Sequence, residues 1–237
     1  MRSAQVILQT VREALNPGSV VDVGCGTGAW LKVWSDYGVE NILGIDGEWV
    51  RPDQLLIPRN RFRQMDLTAP SALDEKFDLV ESLEVAEHLP AAAADAFVAF
   101  LCSLGNVVLF SAAIPCQGGT HHLNEQWPGY WAALFQLHGF VAIDAIRDRF
   151  WDNEDVDWWY AQNTLFFVQS EHLPAIRQTS ELFAGASQGA PSRVHPQRWI
   201  AVNAGPIPLE NLVAALPRSS IHFVQRAFRK LGHLFRA

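Results

Sequence analysis

The sequence predicts an α/β protein: a doubly wound, mostly parallel sheet of seven strands with an antiparallel last strand, followed by a C-terminal helical tail. Short apolar runs of strand length alternate with helical segments over roughly residues 18–170. A cluster of glycines follows the first of these runs, at its junction with a helix. Strands separated by helices favour right-handed crossovers, which produce a parallel sheet with helices on both faces.

The predicted elements follow one another in a regular order. The first is a helix at 4–15, whose apolar residues share one side and which closes at the turn Asn16-Pro17-Gly18. The connection at 147–163 is too irregular for a crossover helix, so we expect the last strand to run antiparallel beside its predecessor. Strands are predicted at 19–23, 41–45, 61–65, 77–83, 106–111, 140–146 and 164–170, and helices at 28–37, 91–104 and 127–138.

The composition predicts a globular, cytoplasmic protein. Apolar residue types make up 49% of the 237 residues and charged residues 18%, and no run approaches the roughly 18 apolar residues of a membrane span. The three cysteines form no CxxC pair, which argues against a disulfide framework and a zinc knuckle. The formal net charge of -7 would repel a polyphosphate, so we expect no nucleic-acid partner.

The most specific motif is the run VVDVGCGTG, a buried strand that leads through glycines into a helix. Glycines at such a junction permit a tight turn and let a ligand approach the backbone. DVGCGTG resembles motif I of the class I, Rossmann-like S-adenosylmethionine-dependent methyltransferases. The resemblance implies that S-adenosylmethionine is the cofactor, that Asp22 orients its methionine amino group, and that the turn lies beneath it, with contacts from Gly24, Cys25, Gly26 and Gly28.

Two further acids follow predicted strands at positions that agree with this family. Asp46, which precedes Gly47 at the end of the second strand, can accept hydrogen bonds from both ribose hydroxyls, or it can simply open a turn. Asp66, which precedes Leu67 after the third strand, matches the family position that contacts the adenine amino group, and it can also cap the next turn. We expect all four residues to contact the cofactor.

The segment FDLVESLEVAEHL resembles the fourth strand and following loop of small-molecule methyltransferases, including the ubiquinone-type O-methyltransferases. We expect Glu84 in this segment to be a further cofactor contact. The resemblance to the family covers roughly residues 18–170. The chain lacks an NPPY-type segment, which argues against methylation of an adenine amino group.

Ligands of such sheets bind beyond the carboxyl ends of the strands, which selects three loops for the methyl acceptor. In the first loop, His88 is a candidate general base or a helix-capping residue, and Glu87 is a candidate substrate contact. In the second, either His121 or His122 can face a pocket as a base or contact, or lie on the surface. Further candidate substrate contacts are Asn124, Glu125 and Trp127 in the second loop, and Trp151, Trp158 and Tyr160 in the third, a predicted lid at 147–163.

These patterns predict an enzyme that methylates a small polar acceptor, with a hydroxyl of a sugar, a glycan precursor or a secondary metabolite as the leading hypothesis. An N-methyltransferase of a small amine is one alternative, and a catalytically inactive binding or scaffold subunit is another. A divalent metal at His121, His122 and Glu125 is a third reading, but the spacing matches no established ligand motif, so we expect no metal.

The predicted domains are a methyltransferase domain at 1–170 and a C-terminal extension at 171–237. The extension begins with Pro, Ser, Gly and Ala, which predicts a flexible link at 185–192. It ends with a basic amphipathic helix at 219–235. This helix is a candidate for contact with an anionic membrane surface or a partner, or for docking on its own domain, and a homodimer is compatible with the sequence.

Overall fold

The computed structural model describes residues 1–203. Its strands are β1 (Ser19–Val23), β2 (Asn41–Asp46), β3 (Phe62–Gln64), β4 (Leu79–Leu83), β5 (Val107–Ser111), β6 (Phe140–Asp144), β7 (Leu165–Gln169) and β8 (Ser187–Gln188). Its helices are α1 (Arg2–Leu15), α2 (Ala29–Asp36), α3 (Ala94–Leu104), α4 (Pro128–Leu137), α5 (Arg147–Phe150), α6 (Trp158–Asn163), α7 (Leu173–Thr179), α8 (Glu181–Ala184) and α9 (Pro196–Asn203). Short 3-10 turns lie at Arg59–Arg61, Ala86–His88 and Ala91–Ala93.

The strands of the described part of the chain form one sheet in the order β3-β2-β1-β4-β5-β7-β6-β8. The strands from β3 to β5 in this order are mutually parallel, whereas β7 runs antiparallel to both of its neighbours. The predicted doubly wound α/β fold with an antiparallel last strand is therefore confirmed. The strand order reverses between β1 and β4, and ligands bind at this kind of switch point in open α/β sheets.

Each face of the sheet is covered by its own apolar cluster. Successive residues of a strand point to opposite faces, so Val20 and Val21 of β1 belong to different clusters. The first cluster contains the buried sides of α1 and α2, including Trp34. The second contains α3 and α4, including Phe97 and Phe135. Burial on both faces explains why the strands are mainly apolar in the sequence.

The connection before β7 contains the short helices α5 and α6 instead of a single crossover helix. The chain therefore returns antiparallel, and β7 inserts between β5 and β6. Val168, for example, pairs with Val107 on one side and Val141 on the other. This arrangement confirms the direction that the irregular segment predicts for the last long strand.

Residues 171–195 belong to the same compact unit as the sheet. The segment 185–192, expected to be a flexible link, contains β8, which pairs with the outer edge of β6. The Gly189 N–H donates a hydrogen bond of 2.9 Å to the Ala142 carbonyl. An uncovered edge strand would leave N–H and C=O groups without partners, and this pairing explains why the sheet has an eighth strand.

A second unit begins at Pro196, with helix α9. The basic helix predicted at 219–235 lies outside the described residues. Within residues 1–203, no helix combines the length and the apolar character that crossing a membrane requires.

Candidate active site

Three glycines turn the chain sharply between β1 and α2. Their φ angles are left-handed: 87° at Gly24, 53° at Gly26 and 79° at Gly28. Residues without a Cβ reach such angles most easily. A Cβ on Gly24 would lie 2.3 Å from a methyl group of Val85, whereas a Cβ on Gly26 would have no other atom within 4 Å. The turn therefore presents bare backbone at Gly26.

Cys25 contributes to this turn through its backbone. Its N–H donates a hydrogen bond of 3.2 Å to the Ile45 carbonyl, which also accepts a hydrogen bond of 2.7 Å from the Gly24 N–H. Its thiol is buried, and a Cβ on Gly44 of β2 would lie only 2.7 Å from the Cys25 sulfur. The side chain of Cys25 thus packs into the sheet.

Asp46, at the end of β2, binds the same turn. Its Oδ2 accepts a hydrogen bond of 2.6 Å from the Gly26 N–H, and its Oδ1 accepts one of 2.7 Å from the Gly47 N–H. The side chain is buried, and each carboxylate oxygen has a second lone pair. Asp46 can therefore hold the glycine turn and still accept hydrogen bonds from a vicinal diol.

Two more acids lie side by side on neighbouring strands next to the turn. Asp22 of β1 pairs in register with Glu81 of β4, and both side chains are buried. Burial, and then the charge of Asp46, raises the pKa of Asp22 to about 8. Burial and the charge of Asp22 raise the pKa of Glu81, whose Oε1 accepts a hydrogen bond of 2.8 Å from Trp34 Nε1. A cationic amino group bound near Asp22 would stabilise its ionised form.

A cavity of about 640 Å³ opens at the carboxyl ends of β1, β2 and β4. This volume is within the range of small-molecule sites, and a mainly apolar lining with a few polar groups is typical of them. The residues that line it come both from the region of the glycine turn and from the loops after β4 and β5. They include Gly24 of the turn, Asp46 at the end of β2 and Leu67 after β3, together with Glu84, His88 and His121 from the loops after β4 and β5.

Glu84 directly follows β4, with a φ angle of 56° that residues other than glycine seldom adopt. Its N–H donates a hydrogen bond of 3.0 Å to the Ser111 carbonyl. Its carboxylate accepts hydrogen bonds from Gln117 Nε2 at 3.0 Å and from Asn163 Nδ2 at 3.1 Å. Burial raises the pKa of Glu84, and these hydrogen bonds oppose the rise. The network fixes the carboxylate in the cavity wall.

Imidazole and carboxyl groups meet where the loop after β4 contacts the loop after β5. The rings of His88 and His122 are nearly perpendicular, with centroids 4.9 Å apart. His122 Nδ1 lies 2.8 Å from Glu125 Oε1, and His88 Nδ1 lies 3.4 Å from the His121 carbonyl oxygen. Glu87, next to His88 in the chain, is fully buried. The structure thus brings together five residues that the sequence assigned to the acceptor.

Burial and neighbouring charges shift the pKa values of the groups in this cluster in different directions. Burial, and then the charge of His122, lowers the pKa of His88. Burial, and then the charge of Glu84, raises the pKa of Glu87 to about 8. Burial acts to raise the pKa of Glu125 too, but hydrogen bonds led by the one from His122 outweigh it, and the net shift is downward. The cluster therefore combines groups that favour the neutral form with one carboxylate that stays ionised.

Three other predicted contacts lie in different settings. Leu67 lines the cavity. Asp66 is exposed, and its Oδ1 accepts a hydrogen bond of 2.9 Å from the Thr68 N–H, which is the turn-capping arrangement. Asn124 is buried, and its Oδ1 accepts a hydrogen bond of 3.0 Å from Gln126 Nε2.

The predicted aromatic contacts pack against other rings. Trp151 and Trp158 contact neighbouring aromatic side chains, and Tyr160 meets Trp30 edge-on with centroids 5.1 Å apart. Trp127 directly precedes α4 and is 42% exposed. None of these four predicted residues lines the cavity described above. Their contact with substrate, and the lid at 147–163, remain predictions.

Several residues of the site belong to no motif that the sequence shows. The indole of Trp49 lines the cavity and packs over Gly47, where an added Cβ would lie 2.2 Å from the ring. Its signal was an aromatic residue placed just after Gly47. Gln117 and Asn163, which orient Glu84, belong to no such motif either, and Asn163 lies too far along the chain from Glu84 for any local pattern to connect them.

An S-adenosyl cofactor fits this arrangement. Gly26 offers bare backbone, Asp46 has lone pairs for a ribose, and the buried Asp22 offers a counter-charge for an amino group. On a doubly wound sheet, these groups define a Rossmann-like S-adenosylmethionine-dependent methyltransferase. The family model described as a methyltransferase domain matches residues 2–154, so the chain belongs to that family. Its cofactor is S-adenosylmethionine, whose sulfonium supplies an electrophilic methyl group.

Solved structures resemble this chain, and two of them, with TM-scores of 0.50 or more, show the same fold. DesVI of Streptomyces venezuelae is 16% identical, with a TM-score of 0.51 over 71% of this chain and 91% of its own. The methyltransferase domain of bacterial CtHen1-C is 21% identical, with a TM-score of 0.50 over 70% of this chain and 96% of its own. Magnesium protoporphyrin IX methyltransferase from Synechocystis, solved with bound SAH, is 19% identical, with a TM-score of 0.48 over 70% and 80%. No curated protein matches this chain significantly in sequence.

Proposed function

We propose that this chain transfers the methyl group of S-adenosylmethionine to a hydroxyl of a small polar acceptor, such as a sugar, a glycan precursor or a secondary metabolite. The observation that carries this proposal is that His88 and His121 line the same cavity as Gly24 and Asp46. An acceptor beside these imidazoles would share one cavity with the methyl donor. We also infer that the protein acts in the cytoplasm on this small-molecule acceptor, as its globular composition favours.

In this proposal, Asp46 and the glycine turn hold the cofactor, and the loops after β4 and β5 align the acceptor. Methyl transfer is an in-line displacement, so alignment and exclusion of water are the main tasks of the protein. The imidazole of His88, His121 or His122 accepts the hydroxyl proton while an oxygen lone pair forms the new O–C bond. The electron pair of the breaking C–S bond stays on sulfur, which leaves as a neutral thioether.

A small amine is the second candidate acceptor, because carboxyl groups lie beside the imidazoles. Glu84 lines the cavity and Glu87 lies next to His88 in the chain. Ionised carboxylates would attract an ammonium group. Burial raises the pKa of both Glu84 and Glu87, however, and so disfavours the ionised form that would bind a cation. We therefore favour the hydroxyl acceptor.

Calorimetry with S-adenosylmethionine and its demethylated product tests the cofactor site first. We expect both to bind, and absence of binding at millimolar concentration would reject the proposed function. Replacing His88, His121 and His122 singly with Ala identifies the base, since its loss should lower turnover about 10²–10⁴-fold without changing cofactor affinity. His172→Ala, at an exposed histidine bonded to Asn106, is the matched control.

Product analysis identifies the acceptor. The full chain is incubated with labelled S-adenosylmethionine and a panel of hydroxylated and amino compounds, and mass spectrometry locates the transferred methyl group. Methylation on oxygen supports the proposal, and methylation confined to nitrogen would replace it with the amine alternative. Cofactor binding without any methylated product across the panel would favour a binding or scaffold subunit.

A further inference from the structure

We propose that Glu87, His88 and His122 bind a divalent transition-metal ion beside the acceptor part of the cavity. One potential ligand atom from each of these residues lies within 4.8 Å of the other two. Metal–ligand bonds are about 2.0–2.2 Å long, so small side-chain rotations would bring all three atoms to bonding distance. Two imidazoles and one carboxylate suit zinc and manganese, iron(II) or cobalt(II), which accept mixed nitrogen and oxygen ligands.

Glu87 is the residue that points most directly to a cation. Its side chain has no exposed surface, and neither carboxylate oxygen meets the geometry of a hydrogen bond to a described group. The backbone N–H groups of Glu87 and Ala113 act to lower its pKa, but the effect of burial is larger. Burying a carboxyl group without such hydrogen bonds is unfavourable, and a bound cation would offset that penalty. The Glu87 carbonyl accepts hydrogen bonds from the N–H groups of Leu123 and Asn124, at 2.7 and 3.0 Å. These bonds hold the loop that contains His122 against Glu87.

The two histidines are oriented as metal ligands usually are. His122 Nδ1 lies 2.8 Å from Glu125 Oε1, so a proton on Nδ1 leaves the Nε2 lone pair available. The His121 carbonyl oxygen lies 3.4 Å from His88 Nδ1 and favours the same tautomer there. Ligating histidines almost always donate their other N–H to a carboxylate or a carbonyl in this way.

Glu125 is itself fixed in place. It accepts hydrogen bonds of 2.7 Å from the Cys116 N–H and 2.8 Å from the Gly118 N–H. Glu125 therefore orients His122 and is not needed as a ligand. The ligand set differs in this respect from His121, His122 and Glu125, a combination whose sequence spacing matches no established ligand motif.

The role of the ion rests on the proposed function. Three protein ligands leave coordination positions open, and His88 also lines the cavity, so an acceptor hydroxyl could reach the ion. A hydroxyl bound to a divalent cation loses its proton more readily. With His88 and His122 as ligands, His121 at the cavity surface is the imidazole that remains to accept this proton.

Metal binding can be tested without any acceptor. The full chain is treated with a chelator, dialysed and titrated with Mn²⁺ by electron paramagnetic resonance and with Co²⁺ by visible absorption. We expect one ion per chain and nitrogen coordination of Co²⁺. Glu125→Gln should weaken metal binding about 10–100-fold, because it releases His122. Glu87→Gln and His122→Ala each remove a ligand and should weaken metal binding by at least as much. His172→Ala should leave affinity unchanged.

Each outcome decides a separate question. Unchanged S-adenosylmethionine affinity in the variants establishes that they are folded, so weaker metal binding can then be assigned to the site. The metal site would be overturned if the wild-type chain bound no metal. It would also be overturned if Glu87→Gln and His122→Ala both bound metal with the affinity of the wild type. Full methyl transfer after chelation would overturn the role of the ion and leave the proposed function intact. Tight metal binding without any methylated product would contradict the function and leave the site standing.

Discussion

The Gly26 N–H and the Asp46 carboxylate are joined by a hydrogen bond of 2.6 Å between the turn after β1 and the end of β2. The bond fixes an ionisable side chain against the bare backbone of the turn. Because Asp46 Oδ1 also accepts a hydrogen bond from the Gly47 N–H, the carboxylate is oriented before any ligand binds. Such preorganisation lowers the ordering penalty of binding.

Asp46→Asn should weaken S-adenosylmethionine binding about ten- to a hundredfold, which corresponds to about 1.5–3 kcal/mol for hydrogen bonds to a charged group. The amide offers one acceptor oxygen where the carboxylate offers two, so one backbone N–H faces an NH₂ group. Isothermal titration calorimetry gives the affinity. Asp53→Asn, at an exposed acid paired with Arg51, is the control and should have no effect. Equal affinities of the Asp46 variant and the wild type would contradict the ribose role.

Alanine substitutions in the glycine turn should separate folding from binding. Gly24→Ala combines a positive φ with a contact of 2.3 Å to Val85, so it should lose several kcal/mol of stability, about 1–2 of them from the backbone. Gly26→Ala has the backbone penalty alone, and its methyl group enters open space. We expect this variant to fold but to bind the cofactor more weakly. Thermal unfolding and calorimetry check both; a Gly24→Ala protein as stable as Gly26→Ala would be inconsistent with the packing.

The site residues that the sequence predicts best are those next to the ends of predicted strands. Asp22, the glycines and Asp46 lie at or just beyond the ends of strands that converge in any parallel sheet of this order, so a pattern of strands and turns places them together. The contacts of Glu84 depend instead on Asn163 in α6, and the contact of Glu87 with the second loop depends on how that loop folds back. No periodicity in the sequence reports such loop conformations.

The eighth strand, which extends the compact unit beyond residue 170, cannot be predicted from the sequence for a physical reason. Pro, Ser, Gly and Ala around 185–192 lack the apolar alternation of a strand. β8 forms because the edge of β6 offers backbone partners, which depends on tertiary structure and hardly on the side chains of Ser187 and Gln188. An edge strand of two residues therefore leaves almost no trace in the sequence.

The stability of the protein without cofactor should fall as pH rises between about 4 and 8. The folded state raises the pKa of Asp22 from 3.8 to about 8, so it binds the proton more tightly than the unfolded state does. The stabilisation is complete below the unfolded pKa and is lost as pH rises through the folded one, at up to about 1.4 kcal/mol per pH unit. Glu81, whose pKa is also raised, acts in the same direction.

Urea unfolding of wild type and Asp22→Asn at pH 5 and pH 8 measures this dependence. Asn cannot ionise, so the variant should become progressively more stable relative to the wild type as pH increases. The difference in unfolding free energy between the two proteins should be smaller at pH 5 than at pH 8, because at pH 5 the wild type has lost only the first part of this stability. A difference that is the same at both pH values would show that Asp22 ionises as readily in the folded state as in the unfolded state.

Gly119→Ala should disturb the acceptor loop while the fold is retained. A Cβ on Gly119 would lie 2.2 Å from His122 Nε2, so the imidazole must move away from its present position. A flexible side chain can yield at little cost in stability, but the bond between His122 and Glu125 would be strained or broken. We expect turnover and metal affinity to fall together, with thermal stability nearly unchanged.

Gly129→Ala in α4, where a Cβ would meet no atom within 4 Å, is the matched control and should stabilise the helix by about 0.5–1 kcal/mol. Wild-type turnover in Gly119→Ala would show that His122 need not occupy this position for the reaction.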